Sequence, residues 1–187
     1  SVPHLQKVIY GIVSRVGDQK LDVVAHSMGA RGVVQALTAL ACENPPAPLI
    51  NELVLLAPDI DTDLFGQYLP LLGKAASRIT IYVSENDKAL AVSHEVHGYP
   101  RLGEAGQHLA VFEGVDTIDI SPAGRRRMSG HIYHIFNPAV VNDLKQLLTT
   151  GKPAAQRSGL LPAERNGIPY WRMQPIDLNG DVNDDEQ

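Results

Sequence analysis

Leu21-Asp22-Val23-Val24-Ala25-His26-Ser27-Met28-Gly29-Ala30-Arg31-Gly32 is the stretch on which the reading of this chain turns. It opens as an apolar run, Leu21 to Ala25, with two β-branched valines, and continues into a helix rich in small residues. One serine stands between them, with Ala25 two places before it and Gly29 two places after. That is the layout of a nucleophile elbow, a sharp strand-to-helix turn that holds a serine hydroxyl clear of the backbone. Gly is usual at both flanking places, and Ala25 adds one methyl of crowding. Gly29, Ala30 and Gly32 are expected to let the helix start tightly against its strand. The Met28 N–H, at the helix N-terminus, is the candidate donor to an oxyanion. A pentapeptide this loose also arises by chance, so its context carries the weight: an apolar strand before it and an amphipathic helix after it.

The surrounding chain repeats that alternation. From about His4 to Val16, apolar residues at Leu5, Val8, Ile9, Ile12, Val13 and Val16 form one helical stripe. After the elbow the periodicity predicts a helix from about Met28 to Cys42, broken by Asn44-Pro45-Pro46. Leu49 to Ala57 reads as a buried strand. Asp61 to Ser77 reads as a helix interrupted by Pro70 and Gly73, with Asp61 and Asp63 as cap and first-turn charges and with a position suited to covering an acyl pocket. Ile79 to Val83 is the next strand, followed by a helix over about Lys88–His97. Gly98 to Gly106 reads as loop, and Val115 to Ile120 as a strand that alternates apolar and polar residues. Pro122 to Gly130 is a basic loop, and Ala139 to Leu148 a last helix. Four strands separated by helices mean an α/β fold with a mostly parallel sheet and right-handed crossovers. Residues 1–150 are expected to form the domain. Residues 151–187 read as a Pro- and Gly-rich tail, pinned by Leu160, Leu161, Tyr170 and Trp171, with a disordered acidic tip.

Bulk properties narrow the function. At 187 residues the chain can bury one proper core. A net charge of −5 gives no electrostatic case for nucleic acid. Arg125-Arg126-Arg127 reads as a solvated loop, with an acidic substrate group or partner as the other use. A single cysteine, Cys42, excludes an internal disulfide and a Cys-based metal cluster, and buried filler is its expected role. No apolar run is long enough to span a membrane. No cofactor and no metal are expected; His94, His97 and His108 show no ligand pattern with carboxylates and read as surface or packing residues. The start at Ser1, without an initiator Met, reads as a fragment or processed product, and it leaves the compartment open.

Attack on a carbonyl needs a nucleophile, a base and an orienting acid. Ser27, Asp87 and His131 offer these groups in the chain order nucleophile, acid, base, each just after an expected strand. In a parallel sheet such positions gather beyond the carboxyl ends of the strands. Asp59, after the preceding strand, competes with Asp87 for the acid, and Asp87 could simply cap the helix that begins near Lys88. His134 competes with His131; His26 neighbours the serine but is expected to turn aside and serve structure.

The segments AHSMGARGV, LVLLAPDIDTDLF, IYVSENDKALAVS, RLG, VDTIDIS and GHIYH resemble a bacterial α/β-hydrolase family of unknown function, described as predicted esterase- or lipase-like enzymes. The resemblance runs from about Leu21 to Gly151. It implies a serine hydrolase fold and the roles given above for Ser27, Asp87 and His131, with a small-molecule ester or acyl compound as substrate. An α/β-hydrolase sheet ordinarily has strands before the elbow, and an upstream loop that supplies a second oxyanion donor. Neither is visible before Leu21, so the N-terminal strands are expected to be missing from this span. The elbow strand should then present an unpaired edge that an upstream segment or a partner completes. Lacking a second donor would lower the rate by roughly 10²–10³. The alternative reading is a non-catalytic α/β-hydrolase-fold binding or interaction module.

Overall fold

The computed structural model describes residues 1–17, 21–124 and 137–175. The apolar runs form strands: β1 Val23–His26, β2 Ile50–Leu56, β3 Ala76–Val83 and β4 Val115–Asp119. The stretches of helical period form α1 Val2–Val16, α2 Met28–Ala41, α3 Thr62–Ala75, α4 Lys88–His97 and α5 Pro138–Thr150. Two further strands, β5 Leu160–Arg165 and β6 Ile168–Met173, lie where only a pinned tail was expected. The six strands form one sheet in the order β1-β2-β3-β4-β6-β5. All neighbouring pairs are parallel except β5 with β6. This is the α/β architecture with a mostly parallel sheet that the sequence implies, carrying six strands in place of four.

Both faces of the sheet are covered, and β2 shows how the pleat divides them. Leu53 and Leu55 join one apolar cluster with Val34 and Leu37 of α2, Phe65 and Leu72 of α3, and Ile79 and Ile81 of β3. Val54 and Leu56, one residue out of phase, join the other with Tyr82, Ile118, Val140 and Leu147 of α5, and Met173 of β6. That two-sided burial is why β2 reads as a continuous apolar run rather than an alternation. α1 buries Ile9 and lays Leu5 across α2, where a Cβ at Gly32 would meet a Leu5 methyl at an ordinary 3.7 Å. β1 ends the strand order and bonds only β2 among the described residues, with Val24 half exposed.

α3 is continuous through Pro70 rather than broken. The proline removes one intrahelical hydrogen bond, while burial of Phe65, Leu72 and Ala75 holds the helix on both sides of it. It packs on α2 and β3 as part of the layer. Its start is capped as expected: the Asp61 carboxylate accepts the Leu64 N–H at 2.9 Å.

Residues 101–104 form a strap across the carboxyl ends of β2 and β3, where the sequence suggested plain loop. The Leu102 N–H donates to Ile60 O (2.8 Å), the Gly103 N–H to Pro58 O (3.0 Å), and the Ser84 N–H to Gly103 O (3.0 Å). Gly103 has no room for a side chain: a Cβ there would sit 2.6 Å from Leu90 Cδ1, 2.8 Å from the Ala57 carbonyl carbon and 2.9 Å from Pro58 N. Leu90 can turn away, but the backbone of residues 57–58 cannot do so cheaply. Gly103→Ala is therefore expected to cost about 1–3 kcal/mol of stability, read as a lowered urea midpoint with an unchanged slope.

Candidate active site

The described candidate residues, Ser27, Asp59 and Asp87, follow strands β1, β2 and β3 at one edge of the sheet. Ser27 joins β1 to α2 with φ 55 and ψ −131, a conformation that costs a non-glycine residue roughly 1–3 kcal/mol. The neighbouring backbone holds it there. The Ser27 N–H donates to Leu56 O at 3.0 Å, and its carbonyl accepts from Ala30 N at 3.0 Å and Asp59 N at 3.3 Å. β1 is thus tied at its last step to the end of β2. A serine in this conformation between a strand and a helix is the elbow that the sequence indicates. Met28 opens α2, and the first amides of a helix have no partner within it and sit at its positive end.

The glycine spacing has a different meaning from the one expected. Ala25 is buried, but a Cβ added to Gly29 would meet nothing within 4 Å among the described residues. Steric closeness of positions 25 and 29 therefore does not select the glycine. Ala30, fully buried, is the small residue that lets α2 approach the core.

The two candidate acids differ in their surroundings. Asp87, after β3, is 4% exposed, and its Oδ1 accepts from Ala89 N at 3.0 Å and Leu90 N at 3.1 Å. It is an N-cap of α4, as its bland reading requires, and a buried, orientated carboxylate as well. Asp59, after β2, has Oδ1 2.8 Å from the Ser93 hydroxyl that donates to it and 3.3 Å from Arg101 Nε. A guanidinium buried beside it already takes up its charge. Ser27 and Asp87 leave strands separated by one strand, so their exits stand about 10 Å apart. His26, the last residue of β1, pairs in register with Leu56.

His131, its rival His134 and the Arg125-Arg126-Arg127 run lie outside the described residues, as does the acidic tip after Pro175. In the sequence, His131 falls between β4, the neighbour of β3, and α5.

Sequence reasoning passed over Arg101 and Glu104. Arg101 is 6% exposed, with its guanidinium against Asp59 and its N–H donating to Glu104 Oε2 at 2.6 Å. No local pattern marks either residue; only the strap's pairing to β2 and β3 brings them to this edge. Asp119, at the end of β4, is another buried carboxylate, closed locally by the N–H and hydroxyl of Ser121.

Cys42 is exposed rather than buried, because α2 ends at Ala41 and the chain turns outward. No helix among the described residues is long and apolar enough to cross a membrane. Residues 1–150 match the family model described as alpha/beta hydrolase of unknown function (DUF900). No curated protein and no solved structure matches the chain.

Proposed function

Since the chain belongs to the α/β-hydrolase family of unknown function whose model spans residues 1–150, we propose that it is a serine hydrolase that cleaves carboxylic esters through an acyl-enzyme on Ser27. The observation that carries this reading is the strained Ser27 at the β1–α2 junction. Backbone strain persists where the surrounding structure over-determines it, and strand-to-helix strain at a serine is the mark of an exposed nucleophile.

In the proposed reaction the Ser27 Oγ attacks the ester carbonyl carbon while His131 takes its proton. Asp87 holds the imidazole in the tautomer that accepts that proton and stabilises the cation that forms. The Met28 N–H helps to hold the oxyanion. The tetrahedral species collapses, the C–O bond to the alcohol breaks, and the alcohol leaves with the proton from His131. Water then attacks the acyl-enzyme, with His131 again the base, and the acid departs from Ser27 Oγ. The Asp59–Arg101 ion pair and the strap support Asp87 in the acid role, since they already occupy its rival.

A fluorophosphonate probe reports this chemistry directly. The folded chain is expected to take up one probe molecule covalently, and Ser27→Ala none. A cooperatively folded wild-type chain that stays unlabelled would overturn the enzyme reading in favour of a binding module.

A further inference from the structure

Three side chains outside the proposed hydrolytic machinery converge beside Asp87. His94 lies on α4, two turns after its cap. Glu104 belongs to the strap, and His108 ends a short 3₁₀ helix, Gly106–His108. One ligating atom from each lies within 4.8 Å of the other two. His94 Nδ1 is 3.2 Å from Glu104 Oε1 and 3.0 Å from Oε2. The His94 and His108 rings meet edge to face, their centroids 4.7 Å apart. Both histidines are half-buried, and the Glu104 side chain is 11% exposed. The sequence suggested surface or packing histidines, because ligands drawn from a helix, a strap and a separate 3₁₀ turn leave no regular spacing.

The cluster has the supports that a ligand set needs. The Arg101 N–H holds the Glu104 carboxylate at 2.6 Å, the kind of outer hydrogen bond that orients a metal-binding carboxylate. The Arg165 guanidinium, reaching over from β5, donates to Gly106 O and Gln107 O at 2.8 Å each, which fixes the turn before His108. Glu104 and His108 line a cleft of about 250 Å³ together with Glu85 and Asp87. The Arg101 guanidinium is turned to Asp59. Among the described residues, three carboxylates line the cleft beside the His108 imidazole.

We propose that His94, Glu104 and His108 hold a divalent transition-metal ion of the zinc class, which ties α4 to the strap and to the Gly106–His108 turn. Two imidazole nitrogens and one carboxylate oxygen form a donor set suited to zinc and its neighbours, and too nitrogen-rich for calcium or magnesium. Tetrahedral coordination with bonds near 2.0–2.2 Å puts ligand atoms about 3.3–3.6 Å apart. Side-chain rotation closes the present spacing by roughly an ångström, and the fourth position faces the cleft. The ion takes the place of the hydrogen between His94 Nδ1 and Glu104, and the neutral imidazole then carries its N–H on Nε2. This site stands apart from the reading of Ser27 as a nucleophile.

The test uses the full chain, stripped by a chelator and dialysed. Calorimetric titration with Zn²⁺ is expected to show one ion per chain at micromolar affinity or better. Co²⁺ in its place is expected to give the intense visible band of a tetrahedral site. His108→Gln and Glu104→Gln should each weaken binding at least about tenfold and abolish the Co²⁺ band, while Ser27→Ala binds as wild type. His108 packs on the His94 ring and the Gln107 amide at the surface, so His108→Gln leaves the fold intact even where Glu104→Gln unsettles the strap. Absence of saturable Zn²⁺ binding below about 0.1 mM, or binding unchanged in His108→Gln, would overturn the proposal and leave His94–Glu104 as a plain hydrogen-bonded lock.

Discussion

Ser27→Ala is expected to lower turnover of an activated ester by about 10⁶-fold, and Asp87→Asn by about 10⁴-fold, while Asp59→Asn lowers it less than about tenfold. A factor of 10⁴ is about 5.5 kcal/mol of transition-state stabilisation, far more than an ordinary surface carboxylate supplies. The ranking follows from what each acid already touches. The Asp59 carboxylate accepts from the Ser93 hydroxyl and lies against the Arg101 guanidinium, so its charge serves that pair. Asp87 is buried, and its Oδ1 accepts both cap bonds, which aims the carboxylate. Asn at position 87 keeps an oxygen for the cap, so α4 retains its start, and the loss falls on the histidine's tautomer and charge. Asp59→Asn instead weakens the hold on Arg101 and should appear as lower stability. The measurement is kcat/KM on 4-nitrophenyl esters, with melting curves for each variant. The reverse ranking, with Asp59→Asn crippling and Asp87→Asn mild, would move the acid to the end of β2.

The parts of this molecule legible in the sequence are those whose signal is local. The elbow could be read because an apolar run, one serine and a small-residue helix stand next to one another. β2 could be read because burial on both faces leaves four consecutive apolar residues, Leu53 to Leu56. The β5–β6 hairpin was harder to read. Pro162 and Pro169 argue against strands, and Glu164 and Arg165 against a buried one. Yet β5 is an edge strand, where proline and charge are tolerated, and Pro169 lies before the part of β6 that pairs with β4, Trp171 and Arg172. A signal was present in Asn166-Gly167, whose φ values of 54 and 80 suit a two-residue hairpin turn. The strap has no such mark. Arg101 to Glu104 have no strand pattern, and their hydrogen bonds go to residues 58, 60 and 84, fixed only once β2 and β3 are side by side. Gly103 could be named from the sequence but not explained, since the atoms that exclude a side chain there belong to residues 57, 58 and 90. The same distance from local pattern hid the His94, Glu104 and His108 grouping.

Arg157→Met is expected to cost about 3–5 kcal/mol at pH 8, a large share of the 5–15 kcal/mol that typically holds a domain together. Arg157 follows the short helix Ala154–Gln156, in what the sequence presents as tail, yet its side chain is fully buried. Its Nη1 donates to Asp143 Oδ2 of α5 at 2.9 Å and to the Tyr82 hydroxyl of β3 at 3.2 Å, and that hydroxyl donates to the same carboxylate oxygen at 2.5 Å. Removing the guanidinium strands a buried carboxylate. The pair itself need not be strongly stabilising, since Arg157 Nε and Nη2 and Asp143 Oδ1 are buried without hydrogen-bond partners among the described residues. Arg157→Met combined with Asp143→Leu is therefore expected to recover most of the loss. The pH dependence identifies the group. Burial pushes the Asp143 carboxyl above its ordinary 3.8, and the Arg157 charge opposes that push. Without Arg157 the folded-state value rises further. A carboxyl whose folded value lies above its unfolded one contributes stability that is complete below the unfolded value and is lost as pH rises through the folded one. The gap between Arg157→Met and wild type should thus narrow as pH falls from 8 to 5, measured as the difference in urea midpoints. A gap that stays constant or widens on acidification would mean that Asp143 is not the stranded charge. The position of the network gives the result a wider bearing: Tyr82 stands two residues before Ser84 and five before Asp87 on the same run of chain, so the pin that fastens the tail to α5 also fastens the strand that delivers the proposed acid.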